Sequence, residues 1–331
     1  MALHTQRAIA IGGSTGALGA ARILLQDLPA HLGAPVFITL HVGSDGHNLL
    51  AQTLATPGHM PVRTAEHDEP VSNDVVYVAP KDFHLLVIDG TIKLGRGPRE
   101  NLARPAIDPL FRSVGACYGS GAISVVLSGK LNDGAAGMAD LKRCGGIAVI
   151  QNPTDAPAPD MPLGALAAAD VDHRAPVSQI GPLLMQLLAQ APEPSPPVPD
   201  NVLLEIDIAL GRPCLSSDIA NLADPVPLSC PSCGGVLSQV RTGPLRFRCQ
   251  VGHAFTAEIL AQEQEGSLDE AMRVALRIVE ERANLVDRLA GESQNAGRSH
   301  SAKDFARKAE ELRQHADVLR RAALQDFKKT G

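Results

Sequence analysis

The chain of 331 residues contains no tryptophan, two tyrosines and seven phenylalanines. Its core must therefore be built from aliphatic side chains, which fits a hydrophobic content of 44%. No apolar run approaches the roughly 18 residues of a membrane-spanning helix, so no membrane insertion is expected. There is no excess of basic residues either. A formal charge of −6 argues against a dedicated nucleic-acid or membrane-surface protein, which would carry a basic face. The N-terminal stretch MALHTQRAIAIGG lacks the longer apolar segment and small-residue cleavage site of a signal peptide, so a cytoplasmic location is expected. Six cysteines in so long a chain are too sparse for a disulfide framework. Cys117, Cys144 and Cys214 are scattered, whereas Cys230, Cys233 and Cys249 are grouped and followed by His253.

Between residue 8 and about 190, short β-branched runs alternate with helical stretches. The runs are AIAI, PVFITL at 35–40, DVVYVA at 74–79, AISVVLS at 122–128 and GIAVI at 146–150. Helical periodicity falls at 17–28, 107–118 and 135–144. Buried strands alternating with helices predict an α/β fold, doubly wound, with a mostly parallel sheet covered on both faces. FHLLVIDGTIKL at 83–94 places Asp-Gly between two apolar runs and predicts an antiparallel hairpin. Five prolines in QAPEPSPPVPDN at 190–201 mark a semi-rigid linker. We therefore divide the chain into a domain at 1–190, a linker at 191–201, a cysteine-bearing module at 202–265 and a helical hairpin at 266–331. In the last, Leu268, Met272, Ala275, Val279, Arg282, Val286 and Leu289 follow helical spacing, with one charge interrupting the stripe. Phe305, Ala309, Leu312, Ala316 and Leu319 repeat it after a polar loop at 291–301. This pair reads as a structural or dimerising antiparallel hairpin.

AIAIGGSTGALGAARILL at 8–25 is a strand, a tight turn and an amphipathic helix. Two kinds of function compete for the turn. Glycines at 12, 13, 16 and 19 cannot be laid onto the G-x-G-x-x-G dinucleotide fingerprint, and no phosphate-loop motif is present. Tyr77 and Lys81 have the spacing of a dehydrogenase pair, but Pro80 and the preceding β-branched run place them at a strand end. An oxidoreductase is therefore disfavoured, and no cofactor-binding residue is assigned. Gly12-Gly13-Ser14-Thr15-Gly16 does fit G-x-S-x-G, a nucleophile elbow between strand and helix. The bland alternative is a Ser or Thr that caps the helix. A nucleophilic serine needs a base and an orienting acid. His41 follows the second buried strand, and Asp133 follows the strand at 122–128. Their alternatives are a structural histidine and an ordinary aspartate N-cap. The order Ser, His, Asp along the chain, with the serine after the first strand, excludes the α/β-hydrolase arrangement.

Residues 8 to 190 resemble the catalytic domain of the chemotaxis protein-glutamate methylesterases (CheB type). The resemblance is carried by IGGSTGA, LHVGSDG, VYVAPKDFHLLV, GPRENLARPAIDPLFRSVG at 97–115, VVLSGKLNDGAAGM and GGIAVIQNPTDAPAPDMP. It implies a triad of Ser14, His41 and Asp133, with Thr15 at the active site. It also implies hydrolysis of glutamyl methyl esters, and in many members deamidation of glutamines, on chemoreceptor-type signalling proteins. No cofactor is implied for catalysis. Two departures stand out. The family's usual T-G-M-G is here Ser128-Gly129-Lys130-Leu131, which places a charged Lys130 where a methionine lines the active site and Leu131 where a glycine is usual. The receiver domain that normally precedes the catalytic domain has no counterpart in this sequence, so control by phosphorylation in cis is not expected. A degenerate member serving as a binding or scaffold protein is the alternative these departures leave open.

Cys230-x2-Cys233-x15-Cys249-x3-His253 has two knuckles that together complete a tetrahedral shell for structural zinc. Four filled positions leave no open coordination site for catalysis, and a recognition or assembly role is expected. The module resembles a C-terminal extension found beside some such methylesterases. The C-terminal helices are candidate surfaces for a homo-oligomer.

Overall fold

The computed structural model describes residues 6–43, 49–213 and 215–326. Cys214, residues 44–48 with the end of the LHVGSDG motif, the first five residues and residues 327–331 lie outside the described residues. Contacts divide the chain into two compact units, which meet between Leu260 and Ala261.

In the first unit the chain runs β1 (Ala8–Gly13), α1 (Ala17–Asp27), β2 (Val36–Leu40), α2 (Leu50–Leu54), β3 (Val62–Thr64) and β4 (Val76–Val78). The hairpin β5 (His84–Ile88) and β6 (Thr91–Gly95) follows, then α3 (Ile107–Tyr118), β7 (Ala122–Val126), α4 (Ala135–Arg143) and β8 (Ile147–Gln151). After these come α5 (Asp160–Ala168), β9 (His173–Ala175) and α6 (Val177–Leu188). Seven strands form one sheet in the order β3-β4-β2-β1-β7-β8-β9, and every neighbouring pair in it is parallel. The order turns back between β1 and β7, so the crevice at the carboxyl ends of these strands lies directly beyond Gly13, the position from which Ser14 emerges.

Strand alternation explains why both faces are covered. Ile9, Ile11, Val36, Ile38, Ile123 and Val125 pack on one face against Leu24 and Leu25 of α1 and Ile180 and Leu184 of α6. Ala10, Phe37, Tyr77, Val126 and Ile150 pack on the other against Leu110, Phe111 and Val114 of α3, Met138 of α4 and Met161 of α5. In α1 the buried positions Ala17, Ala20, Ala21, Leu24 and Leu25 follow the helical period. Asp89 and Gly90 both take positive φ, 49° and 73°. Ile88 pairs with Thr91 across them, as expected of a two-residue hairpin turn.

The proline-rich segment is strapped to the α/β domain. Arg7 Nε donates to the Gln190 carbonyl at 2.9 Å, and the Ser120 N–H donates to Ser195 Oγ at 2.9 Å. Helix α7 (Asp200–Leu210) then packs on α3 and on the β5–β6 hairpin. Helix α8 (Ser216–Leu222) leads into an antiparallel sheet of β10 (Ala223–Ser229), β11 (Val236–Val240), β12 (Arg246–Cys249) and β13 (Ala254–Thr256). Helix α9 (Ala257–Asn295) begins directly after β13.

In the second unit α9 and α10 (Ser299–Asp326) form the expected helical hairpin. Arg313 faces Asp287 at 3.0 Å and Arg320 faces Glu280, an antiparallel register. The connection is shorter than the predicted 291–301 loop, because polar residues continue the helices to 295 and from 299. The seam also differs in detail. Ala283, Val286, Ala302, Ala309 and Ala316 are buried, whereas Arg282, Leu268 and Leu289 are exposed.

Candidate active site

Three strand ends converge on Ser14. The Ser14 N–H donates to the Ser128 carbonyl at 2.9 Å, just past β7, and the His41 N–H donates to the Gly13 carbonyl at 3.0 Å. Gly13 is in register with Leu40, so Ser14 and His41 leave adjacent strands side by side, where strand spacing is about 4.8 Å. The turn demands its glycines. A Cβ on Gly12 would lie 2.3 Å from Ile107 of α3, and Gly16 has φ of 81° as the N-cap residue of α1. Because Gly16 occupies that position with no side-chain cap bond, Ser14 and Thr15 do not serve as the helix cap. Among the described residues the Ser14 hydroxyl has no hydrogen-bond partner. Ser14 is half-buried and Thr15 exposed.

Asp133 is buried and stands 2.9 Å, Oδ2 to Nε2, from the half-buried His41. The Nε2–H bond points off the line between them, an alignment that apo sites often lack. The aspartate was expected as a candidate N-cap of its own helix, but Gly134 takes that position. The carboxylate instead caps α3. Ile107 N–H donates to Oδ2 at 2.7 Å and Asp108 N–H to Oδ1 at 3.3 Å, both in the first turn, where unpaired N–H groups and the helix dipole favour an anion. Asn101 Nδ2 donates to Oδ1 at 2.9 Å and Gly134 N–H at 3.0 Å. Burial pushes the Asp133 carboxyl up, but His41 and the Ile107 and Asn101 donors outweigh it and hold the group below its ordinary range.

Asn101 also donates to Asp108 Oδ2 at 2.8 Å. Asp108 is pushed up to about 8, first by burial and then by the charge of Asp133. Beside them lies an ionic cluster in which the buried Glu100, Asp140 and Glu205 meet the buried Arg112, Arg246 and Arg248, with the half-buried Arg143 on the other oxygen of Asp140 at 3.0 Å. Arg112 Nε meets Asp140 at 3.0 Å, and Arg248 Nη2 meets Glu100 at 3.0 Å and Glu205 at 2.7 Å. Burial opposes ionisation of Glu205, yet the three arginines hold it well below the usual carboxylate range.

Cys230, Cys233, Cys249 and His253 come together, their ligand atoms all within 4.8 Å of one another. Cys233 and Cys249 Sγ are 3.7 Å apart, and His253 Nδ1 lies 3.5 Å from Cys249 Sγ and 3.8 Å from Cys230 Sγ. Zinc bonded tetrahedrally to sulfur and imidazole at ordinary lengths requires edges of roughly 3.6–3.8 Å. The residues therefore fit such an ion, and this cluster could hold one.

A CheB methylesterase family model matches residues 9–184. The chain belongs to that family. It is 40% identical over 172 residues to protein-glutamate methylesterase/protein-glutamine glutaminase 3 of Anaeromyxobacter dehalogenans, covering 50% of this chain and 49% of that one. A curated protein of Leptospira interrogans is 35% identical over 181 residues, 54% of this chain and 94% of that one. The crystal structure of the Thermotoga maritima CheB methylesterase catalytic domain superposes with a TM-score of 0.53 at 28% identity, over 55% of this chain and 99% of that chain. The match to the CheB model ends before the cysteine cluster.

Within the CheB-type domain, the departures at 128–131 leave the His41–Asp133 contact intact. Ser128 Oγ donates to the Thr15 carbonyl at 2.7 Å, and its N–H donates to Gln151 Oε1 at 2.9 Å. Lys130 is exposed. Leu131 has φ of 62°, a left-handed conformation that glycine adopts without cost. The helix predicted at 107–118 coincides with α3, but sequence reasoning did not find the roles of Asn101, Asp108 and the α3 N-terminus at this site. GPRENLARPAIDP, which carries all three, stands out only as part of a motif of the resemblance.

Proposed function

We propose that this chain is a protein-glutamate methylesterase working through Ser14, His41 and Asp133, with glutamine deamidation as a second outcome of the same chemistry. The carrying observation is the buried Asp133 carboxylate, held by the α3 N-terminus and Asn101 against a histidine beside Ser14. Asp133 keeps the imidazole proton on Nε2, which leaves Nδ1 as the base for the serine hydroxyl. Ser14 Oγ attacks the ester carbonyl, and its proton passes through His41 to the departing methoxide, which leaves as methanol. Water activated by His41 then cleaves the acyl-serine and frees the carboxylate. N–H groups at the start of α1 are suited to stabilise the oxyanion. Thr15 and Lys130 line the approach, and their exposure suits contact with a protein substrate.

The substrate class is a methylated chemoreceptor or a related signalling protein, met in the cytoplasm. No helix among the described residues is long and apolar enough to cross a membrane. Residues 1–190 are the catalytic module, 191–201 a linker in which α7 begins at Asp200, 202–265 a module whose ribbon strands are suited to structural zinc and in which α9 begins at Ala257, and 266–331 the rest of a helical hairpin suited to self-association. A serine-directed fluorophosphonate should attach to Ser14, located by mass spectrometry. Failure to label, in a folded protein, would favour the scaffold reading instead.

A further inference from the structure

The cysteine–histidine ribbon reaches the candidate site through named bonds. Cys249 and His253 close one tight turn, in which the Cys249 N–H donates to the His253 carbonyl at 3.0 Å. That turn feeds directly into β13. The edge of β13 pairs with the loop ahead of α3, where the Asn101 N–H donates to the Ala254 carbonyl at 2.8 Å. Thr256 then touches both neighbours of the aspartate. Its N–H donates to Asn101 Oδ1 at 3.0 Å, and its hydroxyl donates to Asn132 Oδ1 at 2.6 Å. Asn132 Nδ2 donates to Glu258 Oε2 at 2.6 Å. Arg248, which precedes the ligand Cys249, donates to the Gly252 carbonyl at 2.7 Å and to Glu100 beside Asn101.

Asn101 is the decisive joint. Its amide has one acceptor and two N–H donors. The Thr256 N–H can pair only with the oxygen, so the donors must face the carboxylates of Asp108 and Asp133. Within the α/β domain the carboxylates of Asp108 and Asp133 already call for the amide's donors, and the Thr256 N–H, 155 residues further along the chain, takes the oxygen they leave free and so locks the same orientation from the ribbon side.

We propose that the ribbon is a working part of the active site: Thr256, Asn101 and Asn132 are positioning residues that hold Asp133 against His41, and metal binding at Cys230, Cys233, Cys249 and His253 keeps Thr256 in place. The proposal rests on the reading of Ser14, His41 and Asp133 as the triad. It assigns the ribbon an internal task rather than a partner.

The test uses the full chain. Cobalt loading reports the metal site through its thiolate absorption, the rate of fluorophosphonate attachment reports Ser14, and the low-field ring N–H resonance of His41 reports its contact with Asp133. Asn101→Ala should slow labelling on the order of 10²-fold, the loss typical of a misplaced catalytic group, and should shift or broaden the His41 resonance. Thr256→Val, nearly the same shape, should slow labelling roughly 10-fold, while Thr256→Ser, which keeps the hydroxyl, should restore it. Stripping the metal should slow wild-type labelling as far as Asn101→Ala does and reversibly on re-addition of zinc, but should add little in the Asn101→Ala background. Unchanged labelling and an unchanged His41 resonance in Thr256→Val and Asn101→Ala would overturn the inference while leaving the triad standing. So would an emptied metal site, seen by loss of the cobalt spectrum, with Ser14 labelled at the wild-type rate. A wild-type protein that does not label at Ser14 refutes the triad and takes the inference with it.

Discussion

Replacing Glu205 by glutamine removes one charge from the buried ionic cluster while keeping the side chain's shape. Glu205 lies against Arg112 at 3.3 Å, Arg246 at 2.5 Å and Arg248 at 2.7 Å, and both it and its partners are shut off from water. In Glu205→Gln three guanidiniums face only Glu100 and Asp140. Removing one member of a buried ion pair costs about 3–5 kcal/mol, because the partner's charge stays buried without compensation. For a unit of this size that is a fall in Tm on the order of 10 °C. Asp207 on the same helix pairs with Arg212 in the open, with both side chains more than two-fifths exposed. Asp207→Ala should therefore cost less than about 1 kcal/mol. Urea unfolding of the two variants beside the wild type makes the comparison. The pH dependence is a second check. Glu205 is held below its unfolded value, so its contribution is present above about pH 4 and fades as the pH falls further. Wild type and Glu205→Gln should thus converge in strong acid. Equal losses for Glu205→Gln and Asp207→Ala at pH 7 would refute the reasoning that Glu205 compensates three buried guanidinium charges.

Two further outcomes follow from the site. Leu131→Gly should relieve about 1–2 kcal/mol of left-handed backbone cost against roughly 0.5–1 kcal/mol of added chain freedom. A net gain of about 0.5–1 kcal/mol is expected in urea unfolding, and a loss would show that the Leu131 side chain is held by its surroundings. Asp108 is raised in the folded protein to about 8, so the folded state holds an extra proton between about pH 4 and pH 8. Stability from this group is full below about pH 4 and declines as the pH rises through 8, at no more than about 1.4 kcal/mol per unit. Asp108→Asn should flatten that decline between pH 6.5 and 8 in thermal melts, and an unaltered slope would place the proton elsewhere.

Much of the fold was legible in the sequence for local reasons. β-Branched runs of buried strands, the Asp-Gly turn and the 3.6-residue period of α1, α3 and α4 each depend on residues close together in the chain. The types and places of Ser14, His41 and Asp133 were legible too, because each follows a recognisable strand. What Asp133 does with its carboxylate was not. Capping α3 from the start of α4 is a long-range arrangement, and an aspartate before a helix looks the same in sequence whichever helix it serves. The ionic cluster was hidden for a related reason. Glu205 in DNVLLEIDIAL and Arg246 and Arg248 in RFRC read as solvated charges until partners 41 and 43 residues apart meet. The Thr256 bond to Asn101 spans 155 residues and leaves no periodic trace.

The proposed hydrolysis of glutamyl methyl esters stands or falls with Ser14 as the nucleophile. Methanol released from a methylated chemoreceptor fragment, compared between the wild type and Ser14→Ala, is the decisive readout. Release by the wild type and a loss of up to about 10⁶-fold in Ser14→Ala are expected. Near-wild-type release by a folded Ser14→Ala protein would contradict that assignment.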